Sequence, residues 1–107
     1  MTIFDEREQA FENKFGHDQE LLFRIRARRA RLLGHWVAER LGLSGDEADR
    51  YALELVEAEV ARPGEPNALE RAWNDLEGRG LGITRSALEH EAVRLLDTAR
   101  HQVLEET

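Results

Sequence analysis

The chain has 107 residues, of which 41% are hydrophobic and 35% charged, with a net charge of −7 and no cysteine. This length predicts one domain, and the lack of cysteine excludes disulfide frameworks, thiolate metal sites and cysteine nucleophiles. No apolar run reaches the roughly 20 residues of a transmembrane helix, and the acidic N-terminus is unlike a secretory signal. The acidic balance disfavours nucleic acid as a partner. We therefore expect a soluble, cytoplasmic protein without direct membrane insertion.

Residues of high helix propensity fill the sequence, and its two prolines, Pro63 and Pro66, lie close together. This pattern predicts an all-α fold. Start and stop signals predict helices over about 19–40, 45–62, 67–78 and 84–106, with N-cap side chains Asp18, Ser44, Asn67 and Thr84. Short connections between these four helices favour an antiparallel four-helix bundle over residues 18–107. The wide apolar sector of residues 19–40 predicts a central helix that meets two neighbours.

The charge is divided unevenly along the chain. Residues 1–20 carry six acids and two bases, 21–41 six arginines and one glutamate, 42–77 ten acids and three arginines, and 78–107 five acids and four bases. The basic second segment and the acidic third one are therefore expected to pack side by side. Within them, Arg26, Arg29 and Glu59 fall on apolar helix faces, and we predict a partly buried Arg26–Glu59 pair that fixes helix register.

The first 17 residues form a separate, amphipathic segment, since Phe4, Phe11 and Phe15 share one face of a helix. Burying three phenylalanines contributes roughly 5–9 kcal/mol, whereas ordering 15 residues costs at least about 15 kcal/mol of backbone entropy. We therefore predict a mobile or marginally helical segment that docks on a partner through a groove. The alternative is a fifth helix that folds back on the bundle. The polar face of residues 1–17 is acidic, which argues against a helix that lies on a membrane surface.

A second candidate site is the arginine-rich run. Arg24, Arg28 and Arg31 share an exposed face that can bind phosphate or an acidic protein surface, and the alternative is a solvated helix face balanced by glutamates. We interpret Trp36 as a core residue, and the alternative is that its ring stacks on a nucleotide. These four residues form the candidate nucleotide site. A nucleic-acid-binding or protein-binding module that uses the Arg24–Arg31 face is the alternative function.

Catalytic and metal-binding patterns are missing from the sequence. The four histidines lack metal-ligand spacing, and the glycines between 78 and 82 lack the Walker spacing and a preceding strand. No carboxylate pair in an apolar cleft is evident, so general acid–base catalysis is unsupported. We expect no enzymatic activity and no required cofactor.

Several motifs resemble the alphaproteobacterial zeta subunit, the inhibitor of the F-type ATP synthase. The N-terminal matches are Phe4-Asp5-Glu6-Arg7-Glu8, Ala10-Phe11-Glu12-Asn13-Lys14-Phe15 and His17-Asp18 with Glu20-Leu21. The later matches are Ala27-Arg28-Arg29, Leu32-Leu33-Gly34 with Trp36, Leu41-Gly42-Leu43 with Gly45, Leu95-Leu96, and Ala99-Arg100. Arginine stands here where relatives often have lysine, which preserves the charge pattern.

This resemblance implies a four-helix bundle over residues 18–107 with an inhibitory segment at 1–17. The segment is expected to enter an interface between catalytic alpha and beta subunits, near the gamma subunit, and to block ATP hydrolysis. Its partner-binding residues are then the anchors Phe4, Phe11 and Phe15 and the rim residues Arg7, Glu8, Glu12 and Lys14. The resemblance also implies ATP or ADP as a regulatory ligand, and a location peripheral to the inner membrane through the ATP synthase.

Overall fold

The structure is a computed structural model that describes residues 3–107. Within that range it contains five helices and no strand, which confirms the all-α prediction. They are α1 (Ile3–Phe15), α2 (Gln19–Arg40), α3 (Gly45–Ala61), α4 (Asn67–Gly78) and α5 (Arg85–Glu106). Of the helices in this range, none has the length and hydropathy needed to cross a membrane.

Helix α2 is the centre of the arrangement, since it contacts all four other helices. Its apolar sector is fully buried at Ile25, Ala30 and Val37. This confirms the prediction of a central helix. Arg28 donates to Gln102 Oε1 at 2.9 Å and Arg24 lies 3.9 Å from Glu106 Oε2, so α5 runs antiparallel to α2.

The most extensive helix–helix contact joins α2 to α3, as the charge pattern predicts. Its physical basis is different, however. The helices approach so closely that a Cβ added to Gly34 would lie 2.5 Å from the Ala52 Cα atom. In the described part of the chain, the only contact within 4.0 Å between a basic side chain and an acidic one across α2 and α3 is that of His35 Nε2 with Asp49 Oδ1, at 3.9 Å. A small residue at the crossing point, rather than arginine–glutamate pairing, therefore allows the contact.

The prediction of four helices and a separate mobile segment undercounts the packed helices by one. Helix α1 packs on α5 and α2, and its three phenylalanines are buried. Phe11 and Phe15 form a core cluster with Leu22, Ile25, Leu96, Ala99 and Val103 of α2 and α5. The sequence-based comparison of burial free energy with backbone entropy counted only the burial of the three phenylalanines. It omitted the apolar surface that α1 covers and the charge pairs described below, and both favour docking.

Two of the four predicted helix caps are confirmed. The side chain of Asp18 accepts a hydrogen bond from the Leu21 amide, and that of Thr84 accepts one from the Ala87 amide, each at 3.0 Å. The Ser44 side chain makes no cap hydrogen bond, and the next residue, Gly45, begins α3 with a left-handed φ of +56°. Asn67 is already the first residue of α4, because Pro66 takes the cap position.

Helix α4 is fixed to α3 by a tyrosine. The Tyr51 hydroxyl donates a 2.7 Å hydrogen bond to Asp75 Oδ2. Burial, together with this hydrogen bond, raises the pKa of Tyr51, so the phenol remains a neutral donor. The contact orients the helix that follows the Pro63–Pro66 turn.

We expect Gly34→Ala to lower the free energy of unfolding by about 1–3 kcal/mol, because the new methyl group meets backbone rather than a movable side chain. Gly78→Ala is the matched control, since a Cβ there meets nothing within 4 Å; it should leave the free energy of unfolding unchanged or raise it by up to about 1 kcal/mol. Urea unfolding followed by circular dichroism measures both. Equal stability of the two variants would contradict the close α2–α3 approach.

Candidate functional site

The candidate site is the groove between α2 and α5 together with the face of α1 that fills it. Phe4 packs into the main core, and Phe11 and Phe15 pack into the second cluster. The Phe11 and Phe15 ring centroids lie 5.2 Å apart. The predicted aromatic face of α1 is therefore real, and in this structure it is directed at the chain's own bundle.

Two ion pairs attach the other half of this face to α2. Arg29 Nη2 lies 2.5 Å from Glu8 Oε1, and Arg26 Nη2 lies 2.5 Å from Glu12 Oε1. Both arginine side chains are more than nine-tenths buried, at 8% and 7% exposure. Hydrogen bonds between ionised partners contribute about 1.5–3 kcal/mol each. These pairs hold α1 antiparallel to α2.

Each of these guanidinium groups also lies over an aromatic ring of α1. The Arg29 Cζ atom is 5.4 Å from the Phe4 ring centroid, and the Arg26 Cζ atom is 5.8 Å from that of Phe11. These distances fall within the range of cation–π attraction. Each arginine therefore binds one carboxylate and one ring, so the acidic and aromatic positions of α1 act together.

Glu59 of α3 lies next to this charged cluster and lines the same cavity as Arg26, Arg29 and Glu8. Its Oε2 atom accepts a hydrogen bond from the Gly64 amide at 2.9 Å. Burial raises the pKa of Glu59, and this effect exceeds the opposing influence of the Gly64 amide, Arg29 and Arg26. A small cavity of about 110 Å³ lies among these groups and Phe4.

The predicted Arg26–Glu59 pair is correct in burial but wrong in partner. Both residues are buried, at 6% and 4% exposure. Yet among the described residues the ion pair that Arg26 makes within 4.0 Å is to Glu12, and its buried Nε atom has no hydrogen-bond partner. A helical wheel identifies the face of Arg26 but not the helix that covers it. Sequence reasoning therefore missed Glu8 and Glu12 as internal partners, although their i,i+4 spacing was visible.

The predicted rim residues of α1 separate into two groups. Glu8 and Glu12 turn toward α2, whereas Arg7 and Lys14 are exposed. Arg7 and Lys14 line an open groove between α1 and α5 of about 490 Å³, which also contains Asp97. The exposed side of docked α1 is polar, with Ile3 as its only exposed large apolar residue.

The candidate nucleotide residues are only partly brought together. Arg24, Arg28 and Arg31 line one shallow groove of about 280 Å³ with Phe23 and Val103. Arg28 Nη2 donates to Glu106 Oε1 at 2.6 Å, and Arg31 is exposed. Trp36 lies apart from this groove, with the Arg40 guanidinium 3.8 Å above its ring.

No group of three or more potential metal ligands occurs within residues 3–107. The four histidines are therefore not gathered into a metal centre in the part of the chain that the structure describes.

We expect Glu59→Gln to raise the melting temperature at pH 7. A carboxyl whose pKa is raised on folding stabilises the fold below its ordinary pKa and loses that contribution as the pH rises through the folded value. The difference between the variant and the parent chain should therefore shrink as the pH falls from 7 toward 4.5. Thermal unfolding at the two pH values measures this, with Glu57→Gln as the exposed control on the same helix. A lower melting temperature for Glu59→Gln at pH 7 would refute the argument.

Comparison with known proteins identifies the family of this helical chain. A search of curated proteins and a search of solved structures each found no match. A family model described as ATPase inhibitor subunit zeta matches residues 1–102, which include all of α1 and most of α5. The match covers more than half of the chain, and the chain therefore belongs to the ATPase inhibitor subunit zeta family.

Proposed function

We propose that this chain is a regulatory, non-catalytic inhibitor that blocks ATP hydrolysis by inserting α1 between a catalytic alpha and beta subunit of an F-type ATP synthase. Membership of the inhibitor family supports the role. The observation that carries the insertion step is the composition of α1, which holds three of the four phenylalanines of the chain on one face. A three-residue connection, Gly16 to Asp18, joins this helix to the rest.

The proposed mechanism is stabilisation of one rotational state of the motor. A helix wedged between two subunits inhibits only to the extent that it binds one state more tightly than the others. Phe4, Phe11 and Phe15 are the proposed buried anchors, because aromatic residues dominate the centres of protein interfaces. Arg7, Glu8, Glu12 and Lys14 are the proposed polar contacts around them.

A regulatory adenine nucleotide is the second part of the proposal. Arg24, Arg28 and Arg31 line one groove and supply guanidinium groups, which match phosphate oxygens in geometry and charge. Phe23 offers an exposed ring beside them, at 41% exposure. Trp36 is left out of the proposed site, since its ring is covered by Arg40.

We expect the full chain to inhibit ATP hydrolysis by a purified F-type ATPase and a chain of residues 18–107 not to inhibit it. Because removal of α1 uncovers Leu22, Ile25 and Leu96, the truncated chain must first be shown to be helical by circular dichroism. Phe11→Ala in the full chain is the second variant, and it should raise the concentration for half-inhibition about tenfold or more, as expected for an interface anchor.

Val60→Ala is the matched control for Phe11→Ala, since it removes an exposed apolar side chain from α3. The proposed insertion fails if a folded 18–107 chain inhibits as well as the full chain. Equal loss of inhibition in the Val60→Ala and Phe11→Ala chains would likewise contradict a specific role of α1.

For the nucleotide, we expect ATP or ADP to shift amide resonances between Phe23 and Arg31, and Arg31→Gln to weaken binding about tenfold through loss of a charge-assisted contact. Arg79→Gln, in the exposed connection between α4 and α5, serves as the control. Unchanged amide resonances at millimolar nucleotide would eliminate this site.

A further inference from the structure

The face of α1 that the proposed function needs is the face that the bundle covers. Phe4 and Phe11 are each 6% exposed and Phe15 is 9% exposed. Glu8 and Glu12 are engaged by Arg29 and Arg26. A partner that meets the docked helix therefore meets its polar side, which lacks the aromatic anchors that interface centres require.

We propose that the α2–α5 groove competes with the ATPase for this face, so that docked α1 is an autoinhibited state and the Arg26–Glu12 and Arg29–Glu8 pairs are its latch. This inference rests on the proposed function, whose site it regulates. Undocking must precede inhibition, and the apparent affinity for the ATPase is reduced by the fraction of chains in which α1 is docked.

The charges of the groove support a reversible latch. With α1 docked, Arg26 pairs with Glu12 and Arg29 pairs with Glu8. When α1 leaves, both guanidinium groups lose these partners. The acids outside α1 that line the adjoining cavity are Glu59 and Glu65, and Glu65 lies 3.7 Å from Arg62. The two arginines of the vacated groove are therefore less fully neutralised than in the docked state, and they attract the acidic face of α1 back.

The exposure of Glu12 supports release of α1 that begins at the Arg26–Glu12 ion pair. The Glu12 side chain is 41% exposed, so water already reaches the outer end of its ion pair with Arg26. The connection between the helices is short, and Gly16 allows the tight turn of the docked state: its amide donates to Glu12 O at 2.7 Å, and an added Cβ would lie 2.5 Å from that oxygen. A released α1 would remain tethered to the groove through residues 16–18.

The test removes one latch charge from the bundle and leaves α1 itself unchanged. In the full chain, Arg29→Gln should lower the hydrogen-exchange protection of the amides of residues 3–15 about tenfold, which is the loss expected for a charge-assisted pair. It should lower the concentration for half-inhibition of a purified F-type ATPase by a similar factor. Arg26→Gln should act in the same direction.

Arg85→Gln is the matched control. It removes an arginine that pairs with Glu70 and joins α5 to α4, away from α1. Neither the exchange of residues 3–15 nor the half-inhibition concentration should change. If Arg29→Gln does not fold, as judged by circular dichroism, Arg26→Gln and the exchange of the parent chain carry the test.

Two results would overturn the latch while leaving the proposed function intact. In the first, residues 3–15 of the parent chain exchange as fast as those of a synthetic peptide of residues 1–17, so that no docked state is populated. In the second, Arg29→Gln releases α1 and the half-inhibition concentration stays the same, so that the groove does not compete.

Failure of the proposed function gives a different result. The parent chain and both latch variants then all leave ATP hydrolysis unchanged, although exchange still reports release of α1. The latch as a regulator of inhibition is overturned with it, and α1 is then an ordinary fifth helix of the bundle.

Discussion

Two buried arginines of α2 determine where α1 lies. A guanidinium group taken out of water costs several kcal/mol unless carboxylates compensate it. Among the described residues, the carboxylates within 4.0 Å of Arg26 and Arg29 are those of Glu12 and Glu8, whereas Glu59 and Glu65 of the bundle only line the same cavity. The acidic face of α1 supplies the missing charge. Because Glu8 meets Arg29 and Glu12 meets Arg26, the pairs fix both the direction and the register of α1. Burial of the three phenylalanines follows from that register, since they lie on the same face.

This arrangement places opposing demands on one helix face. In the proposed function its aromatic residues anchor it in a partner, whereas its carboxylates pair with the arginines of its own bundle. A sequence optimised only for docking would keep α1 permanently covered, whereas one optimised only for release would leave apolar side chains in water. The Glu12 side chain, which is 41% exposed, lies beside the buried Phe11, and this arrangement is intermediate between the two demands.

The sequence was sufficient for the helices and their apolar faces, because periodicity and caps such as Asp18 and Thr84 are local properties. It also placed Arg26 and Glu59 in the interior correctly. It could not assign the partner of Arg26 or the close approach at Gly34, since both depend on which helix is the neighbour. The docking of α1 was only the alternative at that stage, for a related reason: the apolar surface and charges that it covers belong to α2 and α5, which lie elsewhere in the sequence.

The short connection between α1 and α2 determines how much affinity the latch needs to keep α1 docked. A short connection gives α1 an effective concentration at its own groove on the order of millimolar, so weak intrinsic docking already keeps it covered. By linkage, a ligand in the Arg24–Arg31 groove alters this balance only if it binds the docked and released states differently. Val103 offers a physical route for such a difference. It lines that groove and also packs in the cluster of Phe11 and Phe15, so the proposed ligand groove and the surface on which α1 docks share a residue of α5.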